Sequence, residues 1–237
     1  KLAFFEVYAA ILASRHVTIT PNPLGKGFSM TEPRWLGWVQ QIQALAQDGL
    51  AYSTNPFDIE RFRTLRNLAA QIMAAYGQSD FETLERVFAA EAGYATPKLD
   101  ARGAVFQDGK LLMVLEKADG GWTLPGGWVD VGESPRSAVE REVFEESGYR
   151  CHAVKLAMLV DRNAPKNGHP PYIFHLYKLF FICELTGGQP AESIETGGAA
   201  FFGEDEIPPL SVARTTLPEI QRLFEHYRNP HLPTDFD

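Results

Sequence analysis

Three glutamates in the run Arg141-Glu142-Val143-Phe144-Glu145-Glu146 offer chemistry that folding alone does not require. At about 100° per residue, a helix places Glu145 near −60° and Glu146 near +40° of Glu142, within roughly a third of the circumference. Like charges three and four residues apart repel and weaken an isolated helix. A hard divalent cation relieves that repulsion, because it takes oxygen ligands and keeps positions for phosphate and water. The plainer alternative is a solvated acidic face, but such faces usually mix signs or spread them along the helix. Here glycines bracket the cluster, Gly126-Gly127 before it and Gly148 after it.

The elements that must position these side chains can be read outward from them. The glutamate helix spans about 135–147 and stops at Gly148. Before it, Val105-Phe106 and 111–115 read as a β-hairpin around the Asp108-Gly109 turn. Ala118-Asp119-Gly120-Gly121 then breaks the chain ahead of Trp122-Thr123-Leu124-Pro125-Gly126-Gly127. Strand-like stretches follow at 154–160, 172–184 and 199–202, and a last helix covers 217–227. Strands interrupted by one central helix and closed by another predict an α/β or α+β sandwich.

The first third of the chain reads differently. Trp35, Trp38, Val39, Ile42 and Leu45 recur at helical steps, with a stop expected at Gly49. Asn55-Pro56 turns into a second helix carrying Ile59, Phe62, Leu65, Leu68, Ala69 and Ile72. Ser79 or Asp80 caps a third, which runs through Leu84, Val87 and Phe88 to Gly93. This predicts a small helical domain over 31–95, a boundary at Thr96-Pro97-Lys98, and a second domain over 98–232. Residues 1–30 open with one lysine and a short apolar stretch broken by Glu6, and read as a leader or extension outside the fold.

At 237 residues with 45% hydrophobic content, the chain can build its cores without staples. The net charge of −8 argues against general nucleic-acid or anionic-membrane binding, and no apolar run reaches the ~20 residues of a membrane span. Phosphate substrates stay open, since a bound metal can supply the missing positive charge. The two cysteines, Cys151 and Cys183, form no CxxC pair and read as reduced thiols, which fits a cytoplasmic protein.

The full spacing is more specific than the helix alone. Gly127, five residues, Glu133, seven residues, Arg141-Glu142, two residues, Glu145-Glu146, one residue and Gly148 resembles the Nudix hydrolase signature at every charged and glycine position. The one departure is Tyr149, at a packing position that is usually aliphatic. The resemblance implies an α/β/α sandwich with a mixed sheet, and a Mg²⁺ or Mn²⁺ held by Glu142, Glu145, Glu146 and the Gly127 carbonyl. It further implies that Gly126-Gly127 form a tight turn, that Arg141 steadies Glu133 or Glu142, and that Gly148 ends the helix. The catalytic base is implied to be either Glu142 or an acid in a later loop, here Glu195 ahead of Glu192.

The similarity extends through residues 32–227, to the two-domain bacterial Nudix group with an N-terminal helical domain. It implies hydrolysis of a nucleoside diphosphate linked to another moiety, with ADP-ribose expected and CDP-choline or a related compound as the alternative. A metabolite sensor without catalysis is a further alternative, although the box carboxylates are all present and no basic recognition segment occurs. Trp122, Trp128, His169, Tyr172 and His175 are candidate substrate contacts, each with a plainer use in packing. The resemblance also implies a homodimer, with the helical domain its natural seat.

Overall fold

The computed structural model describes residues 34–77, 79–170 and 172–237, and the leader expected over 1–30 lies outside them. The described residues fall into two units.

The helical unit holds α1 (Arg34–Tyr52), α2 (Pro56–Tyr76) and α3 (Phe81–Ala90). The Asn55 side chain accepts from Phe57 N and Pro56 opens α2, while the Asp80 side chain accepts from Thr83 N to cap α3. Leu36 and Val39 of α1, Ala69, Ala70 and Met73 of α2, and Leu84 and Phe88 of α3 form one buried core. Helix α1 continues past Gly49, where a stop was expected. A Cβ there would come within 2.3 Å of the Phe62 ring, so this glycine serves close helix packing and not termination. Tyr172 and Ile173, from a later loop, count with this unit: Gln40 Nε2 donates to the Tyr172 carbonyl at 2.8 Å, and Ile173 packs on the helical core.

The second unit is a mixed sheet of β1 (Lys98–Gln107), β2 (Lys110–Glu116), β3 (Trp122–Thr123), β4 (Gly126–Trp128), β5 (Tyr149–Asp161), β6 (Leu176–Gly188), β7 (Thr196–Phe202) and β8 (Asp235–Phe236). The main order is β3-β2-β1-β6-β5-β8, with β4 paired to β1 and β7 to β2. Asp108 and Gly109 both take positive φ, 51° and 77°, as a two-residue hairpin turn demands. Strand β6 begins four residues later than the apolar pattern suggests, because Ile173 packs on the helical core and the Tyr172 carbonyl is held by Gln40.

Helix α4 (Pro135–Ser147) covers one face of the sheet and α5 (Leu217–Arg228) belongs to the core of the other. Side chains alternate along each strand, so Ala101 and Val105 meet Val139 and Val143 of α4, while Ala104 joins Ile220, Leu223 and Phe224 of α5. Local signals bound both helices. Ser134 caps α4, Pro135 opens it, and Gly148 closes it in the left-handed region at φ 74°. Thr216 and Glu219 form a reciprocal capping box at the start of α5. The architecture is therefore an α/β sandwich with a mixed sheet, preceded among the described residues by three helices.

Candidate active site

Helix α4 turns its glutamates toward the β4 strand and toward Arg141. Arg141 grips Glu133 with Nε and Nη2, both at 2.9 Å, and reaches Glu142 at 2.8 Å and Glu145 at 3.1 Å with Nη1. The bidentate fork on Glu133 raises the guanidinium pKa further and ties the preceding loop to the helix. Arg141 thus hydrogen-bonds Glu133, Glu142 and Glu145 together. The cluster grades from surface to interior: the Glu145 side chain is 55% exposed, Glu142 15%, and Glu146 as a residue only 6%. Burial pushes the Glu142 carboxyl up despite Arg141, and pushes Glu146 well above the usual carboxylate range.

Gly126 and Gly127 meet this face in different ways. Gly126 N donates to Glu146 Oε2 at 2.9 Å, its φ is +145°, and a Cβ would sit 2.1 Å from the Ala101 carbonyl. Only glycine fits there. A Cβ on Gly127 would lie 3.2 Å from the Glu142 carboxylate, so this glycine clears space beside it. The ladder decides which carbonyl is available. Gly103 N donates to Pro125 O and Val129 N to Leu99 O, which makes Ala101–Gly127 the hydrogen-bonded pair between them. The Gly127 carbonyl, expected to face a metal, therefore points to Ala101 N. The Gly126 carbonyl points away from β1, on the same side as the N–H that meets Glu146.

Beneath the turn lie charges that sequence reading missed. Arg102 on β1 binds both oxygens of Asp100 at 2.9 Å and donates to Leu124 O at 3.2 Å. Lys178 on β6 lies 3.6 Å from Asp100 and 3.9 Å from Glu219, and also donates to Arg214 O. Burial opposes ionisation of Asp100, but Arg102 and Lys178 outweigh it and hold its carboxyl low. Burial raises the carboxyl of Glu116, at the end of β2, although Arg214 Nε pairs with it at 3.0 Å. The charges of Glu116 and Glu142 both add to the upward push on Glu146. The available signals were a D-x-R pair on one strand face, and a single acid closing the apolar run 111–115.

The later loop brings Glu195 to this neighbourhood: Lys117 N donates to its carbonyl at 3.0 Å, and its charge acts on Glu116. Glu192 is turned to Lys117 Nζ, 3.7 Å away. Trp122 packs edge-on against Phe202 at 4.8 Å in the α5-side core. Trp128 stands opposite Asp100, on the face away from Gly127 and the glutamates. His169 is buried with Nδ1 on Val212 O at 2.9 Å and Nε2 on Glu219 at 2.7 Å, so both ring nitrogens are engaged within the protein. Tyr172, edge-on to Phe174, and His175 count with the helical unit.

The donor set fits a hard divalent cation in kind: clustered, partly desolvated carboxylates, a glycine carbonyl directed toward them, and a missing Cβ beside Glu142. As the side chains stand, Arg141 occupies Glu142 and Glu145. Among the described residues no three His, Cys, Asp or Glu side chains form a ready-made cage.

Comparison with known proteins gives matches to both units. Residues 33–88 match a family described as a UDP-X-like, N-terminal oligomerisation domain, and residues 97–224 match the NUDIX domain. YjhB of Bacillus subtilis, provisionally named an ADP-ribose pyrophosphatase, is 44% identical over 206 residues, which covers 87% of this chain and 98% of that protein. A crystal structure of an ADP-ribose pyrophosphatase from Streptococcus suis is 39% identical, covering 60% of this chain and 100% of that one, with a TM-score of 0.55. The crystal structure of a UDP-X diphosphatase is 30% identical, covers 85% and 97% of the two chains, and has a TM-score of 0.56.

Proposed function

Since this chain belongs to the Nudix hydrolase family and acts on nucleoside diphosphate-linked substrates, we propose that it is a metal-dependent ADP-ribose pyrophosphatase releasing AMP and ribose 5-phosphate. The observation that carries the chemistry is the gathering of Glu142 and Glu146 against the Gly126-Gly127 turn. The choice of ADP-ribose rests on the names of YjhB and the Streptococcus suis protein.

In this reading Glu142, Glu145, Glu146 and the Gly126 carbonyl hold Mg²⁺ or Mn²⁺. The ion, when bound, neutralises charge on the diphosphate oxygens and acidifies water. The protein's own groups do the rest. Arg141 keeps Glu133 and Glu142 in place, and the buried Arg102 holds the Leu124 carbonyl that leads into the turn. Glu195 takes the proton of the attacking water, with Glu142 as the alternative base. The helical unit pairs two copies of the chain, and the free Cys151 and Cys183 suit a cytoplasmic location.

The UDP-X diphosphatase structure favours a second reading, a uridine diphosphate derivative as substrate. A kinetic panel of ADP-ribose, UDP-sugars, CDP-choline, NADH and dNTPs, with Mg²⁺ and with Mn²⁺, separates the two. The proposal expects kcat/KM for ADP-ribose to exceed the others by at least about tenfold, ~1.4 kcal/mol of differential transition-state binding. A preference for UDP-sugars would transfer the assignment to the second reading, and no turnover of any compound would favour a sensor.

A further inference from the structure

A helix leaves its last four carbonyls without intrahelical donors, and a buried helix end must find them elsewhere. Two of the last carbonyls of α4 are served by one loop, 189–196. Ala191 N donates to Ser147 O at 2.9 Å, and Thr196 Oγ1 donates to Glu146 O at 2.6 Å. Thr196 is fully buried. Its single hydroxyl proton goes to Glu146 O, so toward Ser193 Oγ, 2.9 Å away, it acts as acceptor. Ser193 Oγ in turn accepts the backbone N–H groups of Glu195 and Thr196, at 3.0 and 2.9 Å. From the β2 side, Lys117 N holds Glu195 O and Lys117 Nζ holds Ser193 O at 2.6 Å.

Both backbone polar groups of Glu195 are therefore fixed. The next side chain is fastened to the backbone of Glu146, the residue whose carboxylate meets Gly126 N. A generic loop anchor needs no such convergence on one glutamate. We propose that Thr196 is a positioning residue, whose hydroxyl locks the Glu195 loop to the Glu146 carbonyl and so sets the reach of the Glu195 carboxylate. This rests on the assignment of Glu195 as the base.

The test is a double-mutant cycle on the full chain, with Thr196→Val, Glu195→Gln and the double variant. It reads kcat, KM, Mn²⁺ affinity by electron paramagnetic resonance, and thermal unfolding. Thr196→Val is expected to lower kcat about 10- to 100-fold, as misplacement of a reacting group by an ångström does. KM and Mn²⁺ affinity stay within about twofold, Thr196→Ser restores kcat, and Thr196→Val adds no loss to Glu195→Gln, as expected of groups acting as a unit. Undiminished kcat in Thr196→Val, or an equal further loss in the Glu195→Gln background, overturns the proposal. Full kcat in Glu195→Gln instead removes the base assignment, and the proposal with it. Should Thr196→Val not fold, Ser193→Ala is read through the same cycle with the same outcomes.

Discussion

The Gly126 amide and the Glu146 carboxylate meet at 2.9 Å, so the turn that opens the site and the most buried glutamate of the Glu142–Glu145–Glu146 cluster are fixed to each other. The contact also orients the turn. Gly126 directs its N–H and carbonyl toward the glutamates, while Gly127 gives its own to Ala101.

The two glycines should therefore fail differently. In Gly126→Ala the new methyl meets the Ala101 carbonyl at 2.1 Å on a backbone with φ +145°, and the expected result is loss of folding and activity together. Gly127→Ala places a methyl 3.2 Å from the Glu142 carboxylate, a contact that a small shift of that side chain relieves. It should fold with near wild-type Tm and lose about 10- to 100-fold in divalent-ion affinity, as displaced ligand supports do. Thermal unfolding by circular dichroism and Mn²⁺ titration check both; a Gly126→Ala variant that folds and turns over normally would refute the turn geometry.

Replacing Glu146 should separate stability from activity. Burial raises the carboxyls of Glu146, Glu142 and Glu116 above their unfolded values. A group raised in the folded state contributes stability below its unfolded pKa and loses it as pH rises through the folded pKa. Metal-free protein should therefore lose stability from these groups as pH rises above the ordinary carboxylate range. Asp100, held low by Arg102 and Lys178, and Glu219, held low by Lys178 and His169, work in the opposite direction, costing stability only in acid. Glu146→Gln keeps an acceptor for Gly126 N and removes the buried charge. It should raise the metal-free Tm at pH 8, change it little at pH 5, and lower kcat by about 100-fold or more. A lower Tm at pH 8 would contradict the desolvation account.

How much of this was legible in the sequence follows from how local each cause is. The bounds of α4 could be read because Ser134, Pro135 and Gly148 act within one turn of its ends. The Asp108-Gly109 turn could be read for the same reason. The role of the Gly127 carbonyl could not, because the phase of the β1–β4 ladder is set across strands by Gly103 and Val129. Gly49 reads as a helix stop until Phe62 of the neighbouring helix is known to lie on it. Arg102, Glu116 and Thr196 take their meaning from partners 22 to 98 positions away, Leu124, Arg214 and Glu146 among them, and no window on the chain contains those pairings.

The helical unit carries a prediction of its own. Trp38, Leu45 and Tyr52 recur every seven residues on α1 and are each more than half exposed, a stripe that monomers rarely leave uncovered. The unit's match to an oligomerisation family supports the prediction that a second copy of the chain covers it. Light scattering behind size exclusion should show a dimer, and the Trp38→Glu/Leu45→Glu variant should run as a folded monomer. A monomeric wild-type chain at micromolar concentration would contradict the pairing.

The proposed reaction is pyrophosphate hydrolysis with a divalent ion held at Glu142, Glu145 and Glu146. It is tested most directly by following ADP-ribose conversion by chromatography, with Mg²⁺, with EDTA, and with Glu146→Gln at saturating Mg²⁺. The account predicts stoichiometric AMP and ribose 5-phosphate with Mg²⁺, none with EDTA, and about 100-fold slower turnover by the variant. Undiminished turnover by Glu146→Gln, or hydrolysis that survives EDTA, would contradict it.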